Sequence, residues 1–300
     1  MTRTRWLWAS LVLLVACRET NIAAPGTGAR GHVFFASNRL AGNFEIYSIA
    51  GDGGAARRLT TDARNDFAPV PSRDGTRIAW EREIPGPNGL ESVEIWVMNA
   101  DGSGARAVVR NGSENRSPSW GSGDAALYYA TFVTGNWEIF RIDLATGTTT
   151  NLTNHPFADQ HPRVSPDGQR VVFHTNRDIQ FEVYAVGADG GAAVNLSNNP
   201  EDDRYPSWSA DGTRIVWSRF VDSFDLFTMR ADGTDQRAVA TTPFQELVAS
   251  WAPDGTALVV QTNRFPPAGL EIVDVGTGAS RPLTLPEAPP GSDVSPWWSR

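Results

Sequence analysis

The chain holds one cysteine in 300 residues, so it can form neither an internal disulfide nor a multi-cysteine zinc site. It also lacks a basic excess. Lys plus Arg number 26 against 34 for Asp plus Glu, the net charge is −8, and no basic block interrupts the chain. Nucleic acid is thereby excluded as a partner, because binding it takes a concentrated cationic face. No apolar run approaches the roughly 20 residues of a membrane-spanning helix. Gly-x-Ser-x-Gly and HExxH are both absent, which removes the nucleophile elbow and the common zinc-hydrolase motif. Tyrosine is scarce at 5, while Trp and Phe supply 11 and 14. Glycine (28) and proline (20) are plentiful, and 40% of the chain is apolar. That balance excludes a disordered chain and suits many short strands joined by tight turns, in two average domains or one large all-β domain.

The first residues carry an address. Arg3 and Arg5 precede an apolar run from Trp6 to Ala16, too short to span a bilayer and of the length of a secretory signal. The run ends Leu14-Val15-Ala16-Cys17, which resembles the bacterial lipobox. The resemblance implies cleavage before Cys17 and a lipid on its thiol. Residues 1–16 are thus expected to be a lipoprotein signal peptide, and 17–31, with no apolar period, a lipidated tether. The expected product is exported and lipid-anchored to the bacterial membrane, the outer membrane by expectation, facing the periplasm or the surface. It touches the membrane only through that anchor.

From residue 32 onward one unit recurs six times. An acidic residue inside an aromatic–aliphatic run marks it: FEIYSI (44–49), VEIWVM (93–98), WEIFRI (137–142), FEVYAV (181–186), FDLFTM (224–229) and LEIVDV (270–275), spaced 49, 44, 44, 43 and 46 residues apart. Upstream of each lies a second run such as VFFASNR (33–39) or IVWSRF (215–220), and downstream a third such as RRLT (57–60) or VNLS (194–197). A further strand holds PSWG (118–121), PRVS (162–165) or PSWS (206–209), and Asp-Gly pairs fall between the runs. Asp-Gly tolerates the positive φ of tight hairpins. Four short antiparallel strands at a period near 45 predict propeller blades, which must stack around an axis because one blade cannot bury both its faces. The repeat opens with VFFASNR and ends with SPWWSR (295–300), a run of the PSWS kind. This offset predicts a single all-β, six-bladed propeller over 32–300 whose ring is closed by the C-terminal strand, at 295–300, beside 32–38.

The segment PSWSADGTRIVWSR (206–219) and the pair VSPDGQRVVFHTNR (164–177) and FEVYAV (181–186) resemble the TolB-like β-propeller repeat. No Trp-Asp dipeptide occurs, which separates the chain from the WD-repeat class. The resemblance implies a non-catalytic cell-envelope lipoprotein whose channel face binds an envelope protein or peptide, and a monomer is expected. Two other functions stay open: a metal-assisted polysaccharide lyase or hydrolase, and an ion- or small-ligand-sensing module. Oligogalacturonate lyases resemble this propeller type and hold a metal with His and Gln. His155 and His161, each next to a proline in one connecting loop, raise that alternative, although turn or surface placement is the commoner fate of such residues.

The acids of the E-I-aromatic runs, Glu45, Glu94, Glu138, Glu182, Asp225 and Glu271, recur in every blade, whereas an active site needs asymmetry. They read as structural carboxylates, paired with Arg39, Arg177 or Arg264 or with backbone donors. A second polar set, Asp66, Asn115, Asp159, Asp203, Glu246 and Asp293, stands three residues before each proline position. Their connections are expected to ring one mouth of the central channel, where five carboxylates would favour calcium or a basic segment. The residues between acid and proline vary, and Phe67, Arg116, His161, Arg204 and Tyr205 are the candidate specificity determinants.

Overall fold

A computed structural model describes residues 31–40, 42–86, 91–284 and 291–299. The signal peptide, Cys17 and all but the last residue of the tether lie outside the described residues. Six four-stranded antiparallel sheets follow one another around a ring. Blade I comprises β24 (Asp293–Trp298), β1 (His32–Ser37), β2 (Glu45–Ala50) and β3 (Arg57–Arg58). Blade II is β4 (Asp66–Pro71) to β7 (Arg106–Val109), and blade III is β8 (Asn115–Trp120) to β11 (Thr149–Asn151). Blade IV runs from β12 (Asp159–Val164) to β15 (Val194–Asn195), blade V from β16 (Asp203–Trp208) to β19 (Arg237–Ala240), and blade VI from β20 (Glu246–Trp251) to β23 (Ser280–Pro282). The C-terminal strand does close the ring, at 293–298 rather than 295–300. It pairs Val33 with Trp298 and Ser37 with Asp293, and Arg39 grips both oxygens of Asp293 at 2.7 Å.

The repeat's landmarks are the bonds that make this frame. In Ser-x-Asp-Gly, Ser72 Oγ donates to Asp74 Oδ1 at 2.6 Å, the same oxygen accepts the Thr76 N–H, and Gly75 takes a φ of +70°. The Ser165–Asp167 and Ser209–Asp211 turns repeat the hydroxyl–carboxylate bond. The Thr or Ser of the downstream run links two strands. Thr60 Oγ1 donates to Glu45 at 2.5 Å while accepting the Ile46 N–H, and Thr153 does the same for Glu138 and Ile139. Ser197 serves Glu182 and Val183 in the same way. The E-I-aromatic acids are therefore structural, as expected, but Arg39 and Arg177 are not their partners. Glu45 pairs with Arg58 and Glu94 with Arg110, while Glu271 does lie 3.5 Å from Arg264.

Six buried apolar clusters lie between neighbouring blades, one per interface. Indole N–H groups bolt three of the interfaces. Trp120, Trp208 and Trp251 donate to Val70 O, Arg163 O and Ser207 O of the preceding blade at 2.9, 3.1 and 3.3 Å. Buried apolar faces and backbone bonds of this kind leave each blade dependent on its neighbours.

Candidate functional site: the central channel

The innermost strand of each blade begins with the acid set read from the sequence, and these side chains do not form a charged mouth. Asp66, Asn115, Asp159, Asp203 and Glu246 are 0% exposed and Asp293 is 1%. Each of the five carboxylates turns into its own blade. Asp66 takes two bonds from Arg82 at 2.7 Å, Asp159 is held by Arg177, Asp203 by Arg219 and Asp293 by Arg39. Glu246 accepts from Thr242 Oγ1 at 2.7 Å and lies 3.9 Å from Arg264. Blade III has no arginine opposite its inner strand, and there the acid is replaced by Asn115, which exchanges amide bonds with Asn111 and donates to Val93 O. Acid and arginine come and go together, so the ring is a set of buried pairs. Most of its carboxylate oxygens are spent on these partners, and among the described residues no three His, Cys, Asp or Glu converge as a metal site requires.

What faces the channel is decided one step further along. In every blade the pairing between the two inner strands slips by a bulge after the second residue. The third residue is left-handed each time: Ala68, Ser117, His161, Tyr205, Val248 and Ser295, at φ between 47° and 57°. That conformation is rare outside glycine and rarest for a β-branched residue such as Val248. Proline follows in five blades, and its missing N–H removes a ladder donor that a bulge would otherwise strand. All six third residues line a cavity of about 260 Å³ on the propeller axis, together with Glu81, Arg163, Leu247, Gln261 and Trp297 among others.

The five expected specificity residues divide accordingly. His161 and Tyr205 reach the channel. Phe67 packs on Phe44 at 4.7 Å, Arg204 lies 4.0 Å over Phe181 and bonds Asp202, and Arg116 pairs with Glu81 and Glu114. Three of the five thus sit between blades. His155 and His161 do not meet: His155 lies beside Phe157, whereas His161 is stacked on His174 at 5.9 Å. Tyr205 lies 5.2 and 5.3 Å from these two rings. His161 is a channel residue rather than a turn or surface one. His174 Nδ1 accepts the Tyr205 N–H at 3.2 Å, and burial drives the His174 pKa down to about 3 and that of His161 well below the ordinary value. Both imidazoles are neutral at pH 7.

Alternate blades clamp the next bulge with a polar side chain from their second strand. Glu81 Oε1 accepts the Ser117 N–H at 2.6 Å, His174 accepts Tyr205, and Gln261 Oε1 accepts the Ser295 N–H at 2.9 Å. Burial pushes the Glu81 carboxyl up against the opposing pull of Arg116 and Ser117. Arg163 is a further buried charge: it is 4% exposed and occupies a strand position held elsewhere by Val70, Ser119, Ser207, Ser250 and Trp297. That break in the repeat is a signal the sequence does contain.

A sequence model of the TolB β-propeller domain matches residues 76–299. The chain belongs to that family. Over 142 residues it is 31% identical to a protein TolB homolog of Chlorobium luteolum, covering 47% of this chain and 31% of that protein. Over 81 residues it is 27% identical to the Tol-Pal system protein TolB of Francisella tularensis, covering 26% and 18%. The matched stretch is thus about a third or less of these curated relatives' length. TolB from Acinetobacter baumannii superposes with a TM-score of 0.77 at 18% identity, over 90% of this chain and 66% of that one. The same fold extends to an oligogalacturonate lyase from Vibrio parahaemolyticus, with a TM-score of 0.56 at 15% identity, over 85% and 74%. These two likenesses speak for the fold alone. Among the described residues no helix is long and apolar enough to cross a membrane.

Proposed function

We propose that this chain is a non-catalytic protein of the bacterial cell envelope, held by a lipid on Cys17, whose channel face binds a protein or peptide partner. The family membership and the naming of relatives as Tol-Pal system proteins support the setting. One observation carries the binding surface. Among the described residues eight large apolar side chains are left exposed, and seven lie on the face where the inner strands begin: Leu40, Phe132, Val133, Phe157, Ile179, Phe220 and Val221, with Ile179 at 97%. The opposite face is turned by Ser-x-Asp-Gly and Asp-Gly hairpins. Apolar side chains gathered on one face, beside a channel mouth, are what a protein-binding surface offers. Six of the seven belong to blades III to V and the connections between them, so the surface is lopsided, as recognition by one partner requires.

Co-purification from the native membrane tests this reading. The wild-type protein should recover one envelope protein in constant proportion, and Phe132→Asp with Phe220→Asp should lose it while the fold is kept. Equal recovery by the variant, or no constant partner, overturns the reading. A second reading, a lyase or hydrolase acting on an extracellular polymer, draws support from the stacking of His174 on His161, which lines the lumen. It requires turnover of a pectin-like polymer by the purified protein.

A further inference from the structure

Arg163 is buried at the centre of the channel without a carboxylate of its own. Its Nη1 donates to three backbone carbonyls, Pro162 O at 2.9 Å, Ser117 O at 3.4 Å and Pro118 O at 3.5 Å. Among the described residues no acid forms an ion pair with it. The nearby Glu81 is committed to Arg116 at 3.3 Å and to the Ser117 N–H. Every inner-strand acid is paired with an arginine of its own blade, so this cation is the odd member of the whole ring. Burial pulls its pKa down to about 10, with Glu81 opposing, which still leaves it fully charged at neutral pH. A buried cation with donors to spare is costly unless something anionic meets it.

The guanidinium also crosses the bore. Its carbon sits 5.0 Å over the ring of Trp297, which projects from blade I, diametrically opposite blade IV. Val70, Arg163 and Trp297 line both the 260 Å³ cavity and a second chamber of about 380 Å³ toward the other mouth. The Arg163–Trp297 contact is therefore the partition between two chambers, with its charge accessible from the channel.

We propose that Arg163 is the centre of a carboxylate-binding site in the propeller channel, taking an acid with an apolar body. The planar fork of a guanidinium matches a carboxylate in two parallel bonds. Gln261 spends its oxygen on the Ser295 N–H, which leaves its –NH₂ as a further donor in the same cavity. The apolar walls are Val70, Leu247, Val248 and Trp297. The neutral histidines add no competing charge. This inference goes beyond partner binding on the outer face, since it needs only the lumen. The carboxylate could belong to a free small acid or to the C-terminus of an inserted peptide.

The test titrates the protein with 3-phenylpropionate and with N-acetyl-Ala-Ala-Phe, each as free acid and as primary amide, reading heat and tryptophan fluorescence. The acids should bind, the amides at least about tenfold more weakly, and the fluorescence change should vanish in Trp297→Phe because the acid draws Arg163 off that ring. The tighter of the two acids names the source. Arg163→Gln should weaken acid binding at least about tenfold, and Arg163→Lys, which keeps charge without the fork, should fall between. Equal binding of acid and amide, unaltered binding by Arg163→Gln, or tighter binding of inorganic phosphate than of either acid overturns the site. So does silence from both acids up to about 10 mM, a limit weaker than any functional affinity. If neither arginine variant folds, the acid–amide contrast on the wild-type protein still decides.

Discussion

Asp203→Asn should destabilise the propeller by about 3 kcal/mol, and the loss should be largely recovered by adding Arg219→Thr. Asp203 is 0% exposed and receives Arg219 Nε at 2.8 Å and Nη2 at 2.9 Å. Removing one partner of a buried pair typically costs about 3–5 kcal/mol, because the other charge is left uncompensated. The lower end applies here. Arg219 keeps a bond to Gln236 Oε1 at 3.0 Å and its stack on Phe227 at 4.6 Å. The second substitution copies blade III, where Asn115 faces Thr131 and no arginine follows. The counterpart of Asn111 is already present in blade V: Asn199 Nδ2 reaches Asp203 Oδ2 at 2.5 Å. Urea unfolding is the assay. With a slope of about 3 kcal/mol/M for a domain of this size, the single variant should shift the midpoint by about 1 M. A shift below about 0.3 M, or a double variant no better than the single, would refute the view that the acid ring exists to balance buried arginines.

Three further outcomes follow from the same frame. In blade VI one arginine serves two buried acids, Glu246 and Glu271, and burial pushes the Glu246 carboxyl from 4.5 up to about 7. A carboxyl whose folded pKa lies above its unfolded one contributes stability below pH 4.5 that is lost as the pH rises through 7. Glu246→Gln should therefore raise stability at pH 8 by about 1–2 kcal/mol and flatten the urea midpoint between pH 5 and 8. Gly233 has a φ of +88° and sits where a Cβ would lie 2.8 Å from Leu196 O of the preceding blade, so Gly233→Ala should lower stability by about 1–3 kcal/mol in thermal unfolding. Cys17→Ser should move the exported protein from the membrane to the soluble fraction or leave it uncleaved, and unchanged fractionation would remove the anchor.

The blade count, the four-strand unit and the closing strand were legible because a period near 45 and an offset between first and last runs leave few other solutions. The direction of the inner-strand acids was not. Alternation along a strand assigns faces only while the register holds, and here a bulge intervenes two residues after the acid. The acid therefore points into its blade, and the third residue points into the channel. The pairing itself did leave a trace. Arg39, Arg82, Arg177, Arg219 and Arg264 stand last or next to last in the upstream runs of the five blades that carry an acid, and the Leu127–Phe132 run, in the blade that carries Asn115, has none. His174 and Gln261 were hidden for another reason: their clamps join one blade to the next, a contact that no single repeat unit displays.

The same comparison shows where specificity can reside. Hydroxyl–carboxylate turns, strand-linking threonines, indole bolts and acid–arginine pairs recur from blade to blade, and a group bonded identically several times cannot distinguish one ligand from another. Symmetry breaks at the third, left-handed position, where alanine, serine, histidine, tyrosine and valine share one backbone conformation. It breaks again at the fifth, where Arg163 and Trp297 replace small side chains and meet across the bore. Holding six non-glycine residues in a sparsely populated conformation is strain that the surrounding ladder and clamps must offset. The return on that strain is a ring of variable side chains pointed at a common axis. The frame is thus what repeats, and function is to be sought in the residues that the repeat fails to fix.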